Sequence, residues 1–305
     1  MNEAVPILED ETGFDRLLGF TLPDRNARGR VVRLGPVLGE ILAAHDYPPA
    51  VKGLLAEALL LAALIGGLLK DMGSQLTIQA QAEGAVVSLL VCDYREGELR
   101  GYAQFDAERL AGLGGNPALG ALFGSAAGAG YLAITFDLAA SGQRYQGIVP
   151  LEGSSLGQAC EAYFARSEQV PTLIRLGVRC DGGEWVAGGL LVQHLAQGEE
   201  GRERLHARMD HPDWDHVAAL AGSTRHDELV DPALSLDALV WRLFHEQRVL
   251  VQQGARISRG CRCSLEHCEK VLARFPEADR TDMRDENGRI VVDCAFCSRL
   301  FEIGL

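Results

Sequence analysis

The sequence predicts an α+β protein in three parts: an N-terminal domain of helices and mainly antiparallel strands at residues 1–196, a charged helical linker at 197–255, and a small cysteine-bearing module at 256–305. Three observations support this division. Residues 28–195 alternate between helix and strand patterns, residues 197–248 are dense in charge, and the last fifth of the chain carries two close pairs of cysteines. At 305 residues and 47% hydrophobic content, the chain can hold one large core and an appendage.

Two helices are predicted first, at residues 36–45 and 49–70, because apolar residues recur there at three and four positions. The second contains the most apolar run of the chain, residues 54–69. Glu57 interrupts this run, which is too short to span a bilayer comfortably and has lysines at its flanks. We therefore predict a buried helix and no association with a membrane.

Stretches rich in β-branched and apolar residues, separated by glycine-containing turns, predict strands. They are residues 75–81, 86–92, 100–104 and 131–138. A further helix is predicted at 153–167, followed by strands at 172–180 and 185–192 that an Asp-Gly-Gly sequence joins, which is a strong hairpin signal. These elements together favour a mainly antiparallel sheet.

The predicted linker differs in character from this domain. Its charges follow one another closely, as in Glu199, Glu200, Arg202, Glu203 and Arg204. Helices remain plausible at residues 214–221 and 236–246. Short helices are marginal in water, so we expect a linker of modest intrinsic stability that is ordered only when it packs against something else.

Charge and cysteine usage exclude some classes of protein. The net charge of −13 argues against nucleic acid as the main partner, since phosphate binding relies on clustered lysine and arginine. The acidic N-terminus lacks the basic start and apolar stretch of a secretory signal, so we expect a cytoplasmic protein.

In a reducing compartment, eight cysteines favour metal binding or catalysis over a disulfide framework. Cys92, Cys160 and Cys180 have apolar neighbours and are predicted to be inert core residues.

The usual nucleotide-binding motifs are absent from the sequence. The glycine-rich stretch at residues 112–130 contains neither Gly-Lys-Ser/Thr nor G-x-G-x-x-G, and a flexible loop is the better interpretation. H-E-x-x-H is also missing. The eight histidines are dispersed, and His45 and His245 are predicted at the C-terminal ends of helices, where a cation suits the dipole.

The two cysteine pairs suit one tetrahedral Zn²⁺ per chain, bound by Cys261 and Cys263 from a C-x-C pair and by Cys294 and Cys297 from a C-x-x-C pair. A thiol pair with one residue between its members is cramped and can form a disulfide once the metal leaves. Zinc keeps such thiols deprotonated, and oxidants react with thiolates. The sequence therefore predicts a redox-sensitive zinc site.

His267 and Cys268 leave an alternative open, because either could supply a ligand if one cysteine of the first pair were displaced. The two short pairs make a complete tetrahedral set by themselves, and we favour them. The segment between them, residues 264–293, is polar and mixed in charge. The module therefore has little besides its ligands to hold it together, and we expect metal loss to unfold it.

Two other functions fit the sequence less well. A thiol-disulfide oxidoreductase that uses Cys294 and Cys297 should have its C-x-x-C beside a βαβ unit, and no such unit is predicted there. A zinc-ribbon nucleic-acid binder should be basic. Residues 256–302 contain nine basic and nine acidic residues, which makes a poor phosphate ligand.

Several motifs resemble the redox-regulated holdase chaperones of the thirty-three-kilodalton heat-shock protein family, whose C-terminal signature is C-x-C, about thirty residues, then C-x-x-C. Residues 163–172, with the sequence Tyr-Phe-Ala-Arg-Ser-Glu-Gln-Val-Pro-Thr, look like the family's central Y-F-x-x-S-E-Q-x-P-T motif. Residues 57–70, 145–151 and 242–246 also fit. The resemblance thus covers nearly the whole chain.

This resemblance implies an ATP-independent chaperone, not an enzyme, that is inactive when reduced and zinc-bound and is activated by oxidants together with mild unfolding. It implies that Cys261, Cys263, Cys294 and Cys297 bind the zinc and, on activation, form Cys261–Cys263 and Cys294–Cys297 disulfides. The linker would then open and help to bind unfolded or partly unfolded client proteins, and the active form would be a homodimer. Cys268 lies outside the family pattern.

Overall fold

A computed structural model describes residues 13–115, 117–125, 128–195 and 211–304. The helices are α1 Pro36–Leu42, α2 Pro49–Gly66, α3 Ala107–Ala111, α4 Leu119–Phe123, α5 Leu156–Tyr163, α6 Pro212–Gly222, α7 His226–Val230, α8 Leu236–Phe244, α9 Leu265–Leu272 and α10 Glu277–Asp282. The strands are β1 Arg16–Leu22, β2 Ala27–Leu34, β3 Gln75–Gln81, β4 Val87–Arg95, β5 Glu98–Phe105, β6 Gly124–Ser125, β7 Gly128–Ala129, β8 Tyr131–Leu138, β9 Gln143–Pro150, β10 Thr172–Asp181, β11 Glu184–His194, β12 Leu250–Arg256, β13 Ser258–Arg259, β14 Ile290–Asp293 and β15 Leu300–Ile303. The charge run at 199–204 and the predicted start of the linker lie outside the described residues.

Two sheets enclose helix α2. The first has the strand order β10-β11-β2-β1-β12, and the second has the order β13-β5-β4-β3-β8-β9. All pairs are antiparallel except β13 with β5. One side of α2 packs against β2, β10 and β11, and the other packs against β3, β4 and β5. The α+β prediction with a mainly antiparallel arrangement is confirmed.

Helix α2 is apolar on nearly all sides because it lies between two sheets. Within the part of the chain that the structure describes, it is the one helix whose length and composition would suit a membrane span, and 72% of it is buried inside the protein. Glu57 is the acidic residue within it. Burial raises the pKa of Glu57, while its carboxylate accepts a hydrogen bond from the backbone N–H of Gly157 at 3.2 Å. The prediction of a buried helix is confirmed.

Helices α6, α7 and α8 pack on the opposite side of the first sheet from α2. We call the sheet residues under these helices the linker-covered face: Leu18, Phe20, Leu22, Val31, Leu190 and Val192. The helices contribute chiefly Trp214, Val217, Leu239, Leu243 and Phe244. Both faces of the strands β11, β2 and β1 are therefore largely buried, and neighbouring residues of one strand contribute to different cores, as Val31 and Val32 do.

A buried arginine ties this helical segment to the sheet. The Arg33 side chain on β2 donates hydrogen bonds to the carbonyl oxygens of Leu229 and Leu234, each at 2.8 Å, and of Glu228 at 3.2 Å. Gly188 pairs with Arg33 across the sheet, and a Cβ atom there would lie 2.0 Å from the Leu229 carbonyl oxygen. The end of α7 thus rests directly on the sheet backbone, held by polar bonds as well as by apolar packing.

Several sequence predictions need correction. Cys92 and Cys160 are buried as predicted, but Cys180 is exposed near the end of β10, so its assignment to the core is wrong. The glycine-rich stretch predicted as a flexible loop contains α4 and the short strands β6 and β7. Strands β1, β2, β9 and β12 were not predicted as strands. The hairpin between β10 and β11 is present, with Gly182 and Gly183 both at positive φ.

Candidate metal centre

The structure brings the four predicted cysteines together. The Sγ atoms of Cys261 and Cys263 are 3.3 Å apart, those of Cys261 and Cys294 are 3.6 Å apart, and those of Cys263 and Cys297 are 3.5 Å apart. All four Sγ atoms lie within 4.8 Å of one another. Four sulfurs about 2.3 Å from a tetrahedral zinc would be about 3.8 Å apart. The cluster therefore has the dimensions of a four-thiolate metal site.

Each cysteine pair is placed by a different local structure. Cys261 and Cys263 follow β13 and precede α9, whose first turn is capped by the Ser264 hydroxyl accepting from the His267 backbone N–H at 3.1 Å. The second pair occupies the turn between β14 and β15, where the N–H groups of residues 297 and 298 both donate to the Cys294 carbonyl oxygen. We call residues 294–298 the knuckle. A strand end and a tight turn thus present two thiols each.

The thiols do not ionise alike without a cation. Burial acts to raise the pKa of Cys261, but hydrogen bonds from the Cys263 backbone and the neighbouring thiols outweigh it and lower this pKa to about 7. Burial and then the neighbouring thiols raise the pKa of Cys263, and burial raises the pKa of Cys297. A thiolate at Cys261 is therefore favoured, and thiolates at Cys263 and Cys297 are opposed. A divalent cation would remove this opposition by holding all four deprotonated.

The module that carries the cluster has a small apolar core. Its buried members are Leu272, Ile290, Phe301 and Ile303. Cys263, Cys294 and Cys268 are partly buried against this core, so the cluster borders the few apolar contacts that the module makes. Such a core cannot order some forty residues by itself, and a metal on the four thiols would supply much of the stability of the module.

The knuckle also contacts the N-terminal domain through Phe296. The Arg100 guanidinium lies 4.0 Å from the centre of the Phe296 ring, and the Tyr102 ring meets Phe296 edge-on at 4.9 Å. Arg100 is held in place by Asp93, which faces it on the neighbouring strand and accepts its hydrogen bonds at 2.5 and 2.8 Å. The Arg262 guanidinium, between the two cysteines of the first pair, lies 3.4 Å from the same Asp93 oxygen. Both arms of the cluster thus contact the second sheet.

The comparisons with known proteins agree with this arrangement. The family profile described as Hsp33 protein matches residues 15–304. The chain belongs to the Hsp33 family. The 33 kDa chaperonin of Caulobacter vibrioides is 40% identical over 296 residues, covering 95% of this chain and 94% of that protein. The 33 kDa chaperonin of Ectopseudomonas mendocina is 37% identical, with 92% and 90% covered.

A solved structure supports the fold of this Hsp33 family member. The crystal structure of the 33 kDa chaperonin from Thermotoga maritima matches with a TM-score of 0.75 over 95% of each chain, at 23% sequence identity. At that identity the match shows the fold alone. The two chains therefore share their overall fold.

The remaining candidates lie outside the cluster of this Hsp33 family member. Cys268 is on α9 and packs against the small core, and His267 is exposed in the first turn of the same helix. His45, predicted only as a partner of a helix dipole, has a contact that the sequence did not indicate. Its Nε2 atom lies 2.9 Å from the Ala295 carbonyl oxygen, and the Ser298 hydroxyl donates to the Ala44 carbonyl oxygen at 2.7 Å.

Replacing Phe296 by alanine is expected to loosen the knuckle from the second sheet while the reduced protein keeps its metal. The lost cation–π and edge-to-face contacts contribute roughly 1–2 kcal/mol together. Hydrogen exchange of residues 294–299, measured beside the zinc content, checks this. Phe275→Ala removes another phenylalanine of the module, 41% exposed, and is the matched control. Equal exchange in both variants would show that the Phe296 contact is not stabilising.

Proposed function

We propose that this protein is a redox-regulated, ATP-independent holdase chaperone of the cytoplasm, which binds unfolding client proteins once its metal module has been oxidised. The observation that carries the proposal is that the cysteine-bearing module directly follows, in the chain, the helices that cover the first sheet. The four-thiol cluster lies in a module with a small core, and the chain immediately before that module forms the helices that cover an apolar sheet face. A chemical change at the cysteines can therefore uncover that face. The chaperonin names of its relatives support the same function.

The proposed reduced state holds one Zn²⁺ on Cys261, Cys263, Cys294 and Cys297. Bound zinc would keep the four thiols deprotonated and join the two arms of the module. Oxidation is proposed to act on the cysteines. Hydrogen peroxide oxidises one thiolate to a sulfenic acid and releases hydroxide, and the neighbouring thiolate displaces a second hydroxide to form the disulfide. Two peroxide molecules account for the Cys261–Cys263 and Cys294–Cys297 disulfides and leave no thiolate ligand.

Loss of the metal is proposed to release the module and then the helices before it. Structural zinc contributes on the order of 10–16 kcal/mol in small modules, whereas burial of four apolar side chains contributes roughly 6–12 kcal/mol, before the entropy cost of ordering the module is subtracted. The released helices would uncover the linker-covered face, whose side chains are all apolar. Unfolded clients expose apolar surface of the same kind, so this face suits them. The oxidised, active protein is proposed to be a homodimer.

The rival functions receive less support. In the described part of the chain, Cys294 and Cys297 lie in a turn between two short antiparallel strands and not at the start of a helix beside a βαβ unit. A thiol-disulfide oxidoreductase of that type is therefore not favoured. The module has equal numbers of acidic and basic residues, which also disfavours a nucleic-acid binder.

One experiment tests the proposed function directly. The reduced, zinc-loaded protein is treated with hydrogen peroxide at raised temperature, and we expect about one equivalent of zinc to be released as the protein begins to suppress aggregation of a chemically denatured protein. Re-reduction in the presence of zinc is the control and should reverse both effects. Zinc release without any suppression of aggregation would contradict the proposal.

ATP is expected neither to bind nor to change the chaperone activity, because the sequence contains no phosphate-binding loop. Calorimetry with Mg-ATP, on reduced and on oxidised protein, measures this. Binding with a micromolar dissociation constant in either state would refute the prediction and favour an enzyme.

A further inference from the structure

Strand β12 closes one edge of the first sheet and does so mainly through its backbone. It pairs antiparallel with β1, with Leu250 opposite Thr21, Val251 opposite Phe20 and Gln253 opposite Leu18. All seven residues of β12 are exposed. A strand without buried side chains is attached chiefly by its ladder of main-chain hydrogen bonds, which depends little on sequence.

Strands β1 and β12 are held in the sheet by different contacts. Most of β1 is buried, with Leu17 packed toward α2 and Phe20 packed under α8, and its other edge is paired with β2. In contrast, β12 lies between α8 and β13, at the junction of the helical segment and the cysteine-bearing module. If those flanking parts leave, β12 leaves with them while β1 stays in the sheet.

We propose that the edge of β1 is a binding site for an extended segment of an unfolded polypeptide, which adds to the sheet in place of β12. This inference rests on the proposed function, because oxidation of the cysteines is what would release β12. An uncovered edge presents unpaired N–H and C=O groups, and extended peptides add to such edges through main-chain bonds. The occupant is thus defined by its backbone, which every client shares.

The pairing register predicts which segments bind best. Residues directly opposite each other on paired strands place their side chains on the same face. Leu18 and Phe20 belong to the linker-covered face, so the residues opposite them point to the surface that the helices vacate. Strand β12 places Val251 opposite Phe20 but the polar Gln253 opposite Leu18. A client segment with apolar residues at alternate positions would bury side chains there and is expected to pair more tightly than β12 does.

Gly254 offers a way to displace β12 without changing β1, the helices or the cysteines. A Cβ atom at Gly254 would lie 2.2 Å from the backbone carbonyl oxygen of Leu17, so alanine at this position must push the strand away from β1. Gln252, an exposed residue of the same strand, provides the matched control as Gln252→Ala. Both variants keep all the cysteines and should retain zinc.

The test uses two labelled peptides with the same side chains, each a seven-residue segment of alternating valine and threonine flanked by lysines. In one of them, alternate backbone nitrogens along one edge are methylated, which blocks main-chain pairing while leaving the side chains. We expect the oxidised full-length protein to bind the unmethylated peptide at least tenfold more tightly, about 1.4 kcal/mol. We expect reduced Gly254→Ala to bind it as well, and reduced Gln252→Ala not to. Hydrogen exchange should show that binding restores protection to the backbone amides of β1.

The outcomes separate this inference from the proposed function. If oxidised protein suppresses aggregation but binds both peptides equally, or binds neither, the edge site is wrong and the chaperone proposal stands. If reduced Gly254→Ala binds the unmethylated peptide selectively but oxidation produces no binding and no chaperone activity, the edge site stands and the redox switch is wrong. The comparison on the oxidised protein does not depend on how the variants fold.

Discussion

Replacing any one of Cys261, Cys263, Cys294 or Cys297 by serine is expected to weaken zinc binding by the reduced protein by about a hundredfold to a thousandfold. The four Sγ atoms lie within 4.8 Å of one another and form a complete tetrahedral set. Structural zinc contributes on the order of 10–16 kcal/mol, so one ligand of four accounts for roughly 2.5–4 kcal/mol. That free energy corresponds to the stated change in affinity, at about 1.4 kcal/mol per factor of ten.

The measurement is a competition titration with a chromophoric zinc chelator, made on reduced protein. Cys268→Ser is the matched control, because Cys268 packs against the small core and does not join the four sulfurs. We expect its zinc affinity to stay within a few-fold of the unmodified chain. If Cys268→Ser lost as much zinc affinity as Cys263→Ser, the assignment of the first cysteine pair would be wrong.

The cysteine cluster could be predicted from the sequence because its chemistry is local. Each pair needs only one or two intervening residues to bring its thiols together, and a tetrahedral metal site needs two such pairs. The contacts of the knuckle could not be predicted in this way. Phe296 meets Arg100 and Tyr102 from a distant part of the chain, and none of these three residue types in its own sequence context indicates such a contact.

Strands could likewise be predicted where their own sequence carries the signal, and not where contacts with distant residues stabilise them. Strands β3 and β8 lie where the sequence predicts them, since apolar and β-branched residues mark them clearly. Strand β2 carries Arg28, Arg30 and Arg33 among its apolar residues, which hides it as a strand. The Arg33 guanidinium is buried nonetheless because the carbonyl groups at the end of α7 accept its hydrogen bonds. Strand β12 is exposed throughout and has no apolar alternation to reveal it.

Oxidation is expected to release zinc and to raise hydrogen exchange sharply in residues 211–304. Residues 13–195 should keep their protection, apart from the backbone amides of β1 and β5 that pair with β12 and β13. The reason is a difference in local stability. Helix α2 and the two sheets around it form the large core, whereas the module has four buried apolar residues and is proposed to depend on a bound metal. In the described part of the chain, helices α6–α8 bury apolar side chains against one face of the first sheet and against one another. Strands β12 and β13 connect these helices to the module, so the helices lose that attachment when the module unfolds.

Hydrogen exchange coupled to mass spectrometry checks this on reduced and peroxide-treated full-length protein. Among the described residues, we expect the loss of protection to be greatest in α9 and in β14 and β15, then in β12, and to extend to α6–α8 at raised temperature.

Arg33→Met provides an independent measure of the coupling between the helices and the first sheet. It removes the donors to Leu229 and Leu234, so the helices should exchange faster in the reduced, zinc-loaded protein and need less heating after oxidation. Arg16→Met is the matched control. Arg16 is the exposed residue of β1 that pairs with Arg33 of β2, and its replacement is expected to leave the hydrogen exchange of the helices unchanged. Protection that stays uniform along the chain after complete zinc loss would rule out the switch and favour a metal site with a purely structural role.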